Sequence, residues 1–408
     1  MFSIIPSDNK FFIYDNNNNP VFSLFNKKNA EDIVAIINSD INEEISHIWD
    51  KVSLNEHFLV IDGSSILATA YYGTLPKSIL YAKTEADEKA HYSDLLHTST
   101  GIYTNAVYTM FKSIFKIINN QKPTHIVVAF DKSRETTFRR KMYAEYKNNR
   151  KPTPEPLKSQ MKLMQDILDV IGIKTLISDE FEADDLAGSV IEKFKSSIPM
   201  EFMTKDHDYL QLTDENAKAW MVQTPKENAE LLWDKYGDEN RSYIEANLPD
   251  KVINFTRDIT LAEVGVYPEQ IIDYKAIAGD SSDNIPGVKG VGPKTAIALL
   301  KAYQTLDGIY MAIDGCKNDI NSEKALAAHW KNSLGIKRSP IKMFKEQRNM
   351  AYLSRDLATI RTNVDIPYSL DDFKVNVDMQ KLKNVLETYE FGSLFDNDII
   401  GWNQLLID

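Results

Sequence analysis

The residue pattern of this 408-residue chain predicts an α/β unit with a mainly parallel central sheet and flanking helices, followed by a mainly α unit and preceded by a small extension. Three observations carry that expectation. From Phe58 to about residue 206, short apolar runs alternate with helical patterns, as in parallel strands joined by crossover helices. Beyond Leu261 the strand signals fade and helical periodicity dominates. Residues 1–56 fit neither pattern, with two aromatic-rich runs flanking Asp15-Asn-Asn-Asn-Asn-Pro20.

The length suits about two domains, and the composition shifts divide the chain into 1–56, 57–258 and 259–408. In the first piece, Phe11–Tyr14 and Val21–Phe25 predict a hairpin, and Ala30–Ile37 and Ile41–Val52 predict amphipathic helices. It holds no titratable cluster and reads as a packing or docking module. In the second, Phe58–Asp62, His125–Asp131, Lys174–Ile177 and Met200–Asp206 predict strands, and three of the four finish on aspartate. Open parallel sheets gather ligands beyond the carboxyl ends of their strands, so this placement would bring those aspartates together. The charged stretch Lys226–Arg257 reads as a surface excursion without chemistry.

With 43% hydrophobic and 26% charged residues, the chain has the composition of a soluble globular protein. Its 59 acidic against 47 basic side chains give a net charge of −12, which argues against binding polyanions through bulk charge. A nucleic-acid site must therefore be a local basic patch. Cys316 is the one cysteine, which excludes an internal disulfide and a thiolate zinc site and fits a reducing compartment. No apolar run of about 18 residues occurs, and the start lacks the features of a signal peptide. The expected location is cytoplasmic, with no membrane partner.

Nine acids occupy the edges of predicted elements. They are Asp62, Asp131, the Glu182, Asp184, Asp185 group, the Asp206, Asp208 pair about His207, and the Asp280, Asp283 pair. Acids in a first helical turn also serve as caps, a role that would suffice for one group alone. The whole set is different, because so many carboxylates repel one another without cations. Oxygen ligands suit hard divalent ions, and Mg²⁺ binds through a few carboxylates plus substrate phosphates. Nine acids could hold two such ions, and two metals can activate water and stabilise the leaving oxygen of a phosphodiester.

Taken in order, VIDGSSILATAYY, KPTHIVVAFDKSRETTFRRKMYAEYKNNRKPTPEPL, FEADDLAG, TKDHDYLQL, AIAGDSSDNIPGVKGVGPKTA and AYLSRDLATIRTNVDIP closely resemble the 5′-nuclease (5′ to 3′ exonuclease, flap endonuclease) family. This is the family of the 5′-nuclease domain of bacterial DNA polymerase I and of stand-alone bacteriophage exonucleases. The resemblance spans about residues 56–396 and implies a PIN-like sheet domain with a helical arch near 132–156, then a helix-three-turn-helix domain. It carries the metal-ligand role to Asp62, Asp131, Glu182, Asp184, Asp185, Asp206, Asp208, Asp280 and Asp283, and a catalytic role to Lys147. It implies two Mg²⁺ ions, with Mn²⁺ able to substitute, and K⁺ at the three-turn element. Departures from the family pattern are Lys205 in place of glycine and His207 in place of a basic residue, together with insertions at Leu75–Thr100 and before Leu261.

Residues 132–151 carry eight cations against Glu135 and Glu145, a local charge of +6 directly after Asp131. By the resemblance this is the arch, where Arg139, Tyr146, Lys147 and Arg150 would contact DNA, an aromatic stacking on a base and cations holding phosphates. Gly287-Val-Lys-Gly-Val-Gly-Pro-Lys opens a helix with Pro293 at its first position, so free backbone N–H groups can face a phosphate. Gly287, Lys289, Gly290, Gly292 and Lys294 would there grip duplex DNA by its backbone.

The implied function is a structure-specific nuclease acting on DNA with 5′ flaps, nicks or RNA primers in replication or repair, with a separate replicative polymerase as a candidate partner. A catalytically silent DNA-junction binder would keep the cations and the Gly-rich turn without needing nine acids. A ribonuclease of the related toxin-type superfamily would not need that turn.

Overall fold

The structure, a computed structural model, describes residues 56–245 and 251–397, together with three strands near the N-terminus. Those strands are β1 (Ser3–Ser7), β2 (Lys10–Tyr14) and β3 (Pro20–Leu24), which pair antiparallel in the order β1-β2-β3. The β2–β3 pair is the expected hairpin. Strand β1 escaped the sequence reading because Pro6 interrupts its short apolar run. The two helices expected within 30–52 lie outside the described residues.

Six strands form the main sheet: β4 (Phe58–Asp62), β5 (His125–Asp131), β6 (Lys174–Ser178), β7 (Met200–Thr204), β8 (Ala217–Val222) and β9 (Val252–Phe255). Their order is β6-β5-β4-β7-β8-β9, parallel throughout except for the β8–β9 pair. Strands β4 and β7 are buried at every residue, as their unbroken apolar runs require of a strand covered on both faces. Alternation sorts β4 between two cores: Phe58 and Val60 face one, Leu59 and Ile61 the other.

Helices α1 (Gly63–Gly73), α2 (Asn105–Gln121) and α4 (Glu155–Ile171) cover the Leu59 and Ile61 face, with the short α3 (Phe138–Met142) between α2 and α4 in the chain. Helix α5 (Ala183–Phe194) covers the other face and carries the chain across from edge strand β6 to β7. The winding therefore reverses between β4 and β7. At such a switch point the loops at the strand ends part and leave a crevice.

Lys226–Arg257 is a correction to the sequence reading. Instead of a surface excursion, it forms helical backbone over Lys226–Glu245, kinked at Tyr236, and the fully buried strand β9. Three apolar residues interrupted by Asn254 and set among charges were too short a signal.

The second unit packs α6 (Arg257–Val264), α7 (Ile271–Ala278), α8 (Pro293–Tyr303), α9 (Leu306–Asp314), α10 (Ile320–Leu334) and α11 (Arg348–Ala358). Its core, with Trp330, Tyr310 and Phe344, is continuous with the α5 side of the sheet. The chain then returns to the opposite face. Val375 N–H donates to Thr124 O at 2.9 Å, Asp378 N–H donates to Ile171 O at 3.0 Å, and α12 (Met379–Thr388) packs beside α4. Gly172 makes this passage possible: at φ +92° it leaves the Asn376 carbonyl where a Cβ would stand, 2.7 Å away. A division at residue 259 groups residues 375–394 with the second unit, whereas they pack on the first. None of the described helices is long and apolar enough to cross a membrane.

Candidate active site

The crevice floor is built from strand ends. Asp62 ends β4 and caps α1, accepting from Ser65 N–H at 3.0 Å, while its other oxygen accepts from Thr204 Oγ1 at 2.7 Å. Burial, reinforced by Asp131 and Asp206 and opposed by these two hydrogen bonds, pushes its carboxyl up to about 7. Asp131 ends β5; its N–H donates to Ser64 Oγ at 2.8 Å and its carboxylate accepts from Ala183 N–H at 2.9 Å. Two strand ends and two helix starts are thus interlocked. Asp206 follows β7 and caps the turn His207–Leu212. Burial raises its carboxyl, Lys275 opposes that rise and Asp283 adds to it.

Glu182, Asp184 and Asp185 sit at the start of α5, where Glu182 and Asp185 form a reciprocal capping box. One oxygen of each lies within 4.8 Å of the others, and among the described residues this is the group close enough to share an ion. Their environments differ. Burial would raise Glu182, but Lys147 and Arg139 overcome it and hold the carboxyl down to about 2. Half-buried Asp184 is pushed well up by desolvation and by its acidic neighbours, against the pull of Arg139. Asp185, 0% exposed, accepts from Arg139 Nη1 and Nη2 at 2.7 Å each, from Arg361 N–H at 2.8 Å and from Glu182 N–H at 3.1 Å.

The basic segment lies against this cluster. Lys147 donates from Nζ to Glu182 Oε1 at 2.6 Å and stands 3.5 Å from Asp283 Oδ2. Its backbone adopts φ +54°, uncommon for a side-chain-bearing residue, and its N–H donates to Asp283 O at 2.8 Å. Burial disfavours the ammonium, but Tyr146, Glu182 and Asp283 hold it protonated. Arg150 pairs with Asp283, and Lys275 of α7 bridges Asp208 and Asp280, donating to the latter at 2.6 Å. Burial would raise Asp280, yet Lys275 brings it down to about 2.

These contacts enclose a cleft of about 390 Å³. Asp62, Asp131, Glu182, Asp184 and Asp206 line its floor, and Arg134, Lys147, Arg150 and Lys151 its rim. Tyr72, Leu157 and Met161 form an apolar wall. Of the nine expected acids, five therefore share the cleft. Asp185 stands behind it, while Asp208, Asp280 and Asp283 are tied to Lys275 and Arg150.

Two expected DNA contacts are placed otherwise. Arg139 is 1% exposed, donating also to the carbonyls of Leu357 and Thr359 at 2.9 Å each, so it offers no donor to a phosphate in this arrangement. Tyr146 is 3% exposed; its hydroxyl donates to Glu182 and Asp283, and its ring packs with Ile285 and Leu357 instead of waiting for a base. Within 132–154 the helix is confined to α3. Lys275 and Thr204 were missed in the sequence. Lys275, five residues before Asp280 in YKAIAGD, carried a signal; a lone strand-end threonine did not.

The Gly-rich turn stands apart on the second unit. Gly287 adopts φ +63° against the backbone of Gly279, a position no other residue fills without displacement, and its N–H donates to buried Ser354 Oγ at 3.0 Å. Val288 and Val291 anchor the turn inward, leaving Lys289, Gly290, Gly292 and Lys294 exposed at the start of α8. Pro293 occupies the first turn of that helix as expected.

A carboxylate floor under a basic rim, beside a helical unit with an exposed Gly-Lys turn, defines a nuclease-type α/β protein. More narrowly, the chain belongs to the 5′-3′ exonuclease family. Residues 57–237 match its N-terminal resolvase-like domain and residues 266–381 its C-terminal SAM fold. A 5′-3′ exonuclease of Aquifex aeolicus is 31% identical over 337 residues, covering 82% of this chain and 92% of that protein. DNA polymerase I of Caldicellulosiruptor bescii is 33% identical over 338 residues, which is 82% of this chain and 33% of the polymerase. The chain thus spans about one third of the polymerases it matches. A zinc-bound structure of the T5 5′-exonuclease shares the fold at a TM-score of 0.52 and 16% identity, over 81% of this chain and 99% of that one.

Proposed function

We propose that this chain is a divalent-cation-dependent, structure-specific 5′-nuclease that hydrolyses phosphodiesters of DNA at 5′ ends, flaps, nicks or RNA primers in replication or repair. The observation that carries this reading is one cleft with five carboxylates on its floor and four cations on its rim. The donor set fits hard cations, since its oxygens come from carboxylates and the raised values of Asp62, Asp184 and Asp206 mark charge that burial leaves uncompensated.

Asp62, Asp131, Glu182, Asp184 and Asp206 would hold Mg²⁺, or Mn²⁺ in its place, with Asp208, Asp280 and Asp283 completing a second site. Bound ions would supply Lewis acidity toward the scissile phosphate and make water a stronger nucleophile. The chain's own residues do the rest. Lys147 and Arg150 would exchange their carboxylate partners for phosphate oxygens, and the Lys289–Lys294 turn would hold the duplex by its backbone. Exposed Tyr72, on the apolar wall, offers a ring face to an unpaired base. K⁺ at the Gly-rich turn enters this reading through the family resemblance. Support for DNA as the substrate includes a T5 flap endonuclease of the same fold, at a TM-score of 0.50 and 15% identity, in a complex with DNA and metal ions.

The test is cleavage of labelled 5′-flap, nicked and single-stranded DNA with Mg²⁺ and with chelator. Mg²⁺-dependent release from 5′ ends is expected. Cleavage that persists in chelator, or none on any substrate, would overturn the reading.

A further inference from the structure

Tyr209 follows Asp208 in the turn beyond β7 and lines the cleft together with Asp62, Asp131, Asp184 and Asp206. It is 2% exposed, and its ring packs on Phe202 with centroids 6.1 Å apart. Its hydroxyl is buried and finds no hydrogen-bond partner among the described residues. This is unusual, since buried hydroxyls are nearly always paired and an orphan is a standing destabilisation. Nearby carboxylates already accept from other donors. The Asp62 oxygens take Ser65 N–H and Thr204 Oγ1, Asp131 takes Ala183 N–H, and Asp206 takes Asp208 N–H.

A donor held among carboxylates, dry and unpaired, lacks one thing, an oxygen that enters with charge to balance the acids. A divalent cation brings such oxygens, because Mg²⁺ gives up its hydration reluctantly and keeps several waters when carboxylates bind it. We infer that Tyr209 is part of the cation site, its hydroxyl donating a hydrogen bond to the hydration water of an ion held by the cleft carboxylates. The inference rests on the nuclease reading above and assigns Tyr209 a positioning role. It orients the ion's hydration shell and touches no reacting bond.

The two states of the site make opposite demands on Tyr209→Phe, which removes one oxygen and keeps the ring on Phe202. Without metal, losing an unsatisfied hydroxyl leaves the thermal midpoint of the full-length protein unchanged or higher. With metal, losing a donor weakens Mg²⁺ binding by about three- to ten-fold, the worth of one hydrogen bond. Calorimetric titration of Mg²⁺ alone, with no DNA present, reads the second effect. The smaller rise of the midpoint on adding Mg²⁺ reads it independently. In the wild type, Mg²⁺ should also perturb the near-UV absorption of tyrosine, and the Phe variant should lose that change.

Unaltered Mg²⁺ affinity in Tyr209→Phe would overturn the inference. So would a lowered midpoint or failure to fold without metal, since either means that the hydroxyl already has a partner inside the chain. Failure of the nuclease reading looks different: the wild type itself would bind no Mg²⁺.

Discussion

Arg139 and Asp185 meet in a two-point ion pair with both partners sealed from solvent, each guanidinium nitrogen Nη1 and Nη2 lying 2.7 Å from its own carboxylate oxygen. The pair joins three segments distant in sequence. Through Arg139 it holds α3 to the carbonyls of Leu357 and Thr359 at the end of α11, and through Asp185 it holds the start of α5 to Arg361 N–H. Breaking a buried pair by removing one partner costs about 3–5 kcal/mol, because the other charge is left unpaired. Arg139→Gln should therefore lower unfolding free energy by that order, and combining it with Asp185→Asn should be clearly less than additive. Arg139→Lys should not rescue, since an ammonium cannot span both oxygens. Denaturant unfolding of both single variants, their combination and Arg139→Lys checks this.

Asp184→Ala and Asp206→Ala remove cleft carboxylates that no internal structure depends on as strongly. Each should abolish cleavage while leaving DNA affinity within a few-fold, because the residues serve chemistry more than docking. Gel-shift and cleavage assays on one flap substrate separate the two effects. Unchanged turnover in both variants at saturating Mg²⁺ would sink the assignment.

Lys147 and Arg150 overhang the cleft, whereas Lys289 and Lys294 stand exposed on the Gly-rich turn. Lys147→Ala and Arg150→Ala should weaken use of single-stranded 5′ ends and lower the salt slope by about one unit per lost phosphate contact. Lys289→Ala and Lys294→Ala should weaken duplex affinity on every substrate alike. Identical profiles for the two pairs on flap and blunt duplex DNA would contradict this division of labour.

Lys275 holds the Asp280 carboxyl down to about 2 from the ordinary 3.8, against the effect of burial. A carboxyl with a depressed folded value contributes stability that is present above its unfolded value. The contribution is lost as pH falls from about 4 to about 2. Lys275→Met should remove that contribution. Its stability deficit, measured without metal, should be full at pH 6 and shrink as pH falls through this window. A deficit that does not change between pH 6 and pH 2 would show that the loss comes from packing alone.

Residues 1–56 precede the family match, which begins at residue 57. Strands β1 to β3 form a sheet of their own. A protein beginning at Asn55 should retain Mg²⁺-dependent flap cleavage, with reduced solubility or stability as the expected penalty. A soluble, folded truncation that binds DNA normally but cleaves nothing would place the extension in the active site.

What the sequence determined by itself was the alternation of apolar runs and helices, the position of each acid at the edge of an element, and the Gly-Lys turn ahead of α8. These features are local: a strand-end aspartate, a capping box at Glu182 and Asp185, and a proline in a first turn are written in neighbouring residues. Sequence order also told that Lys147 and Arg150 follow Asp131 closely. It could not tell that Arg139, in the same basic run, turns inward, because burial of a charge depends on partners supplied 43 to 220 residues away. Tertiary structure alone decided which acids share the cleft and which are taken by Lys275 or Arg139. It placed β9 in the sheet, returned α12 to the face beside α4, and left the Tyr209 hydroxyl dry among carboxylates. The physical reason is common to all of these. Desolvation and pairing of a charged or polar group are set by everything packed around it, and that neighbourhood exists only once the switch between β4 and β7 has brought distant segments to one crevice.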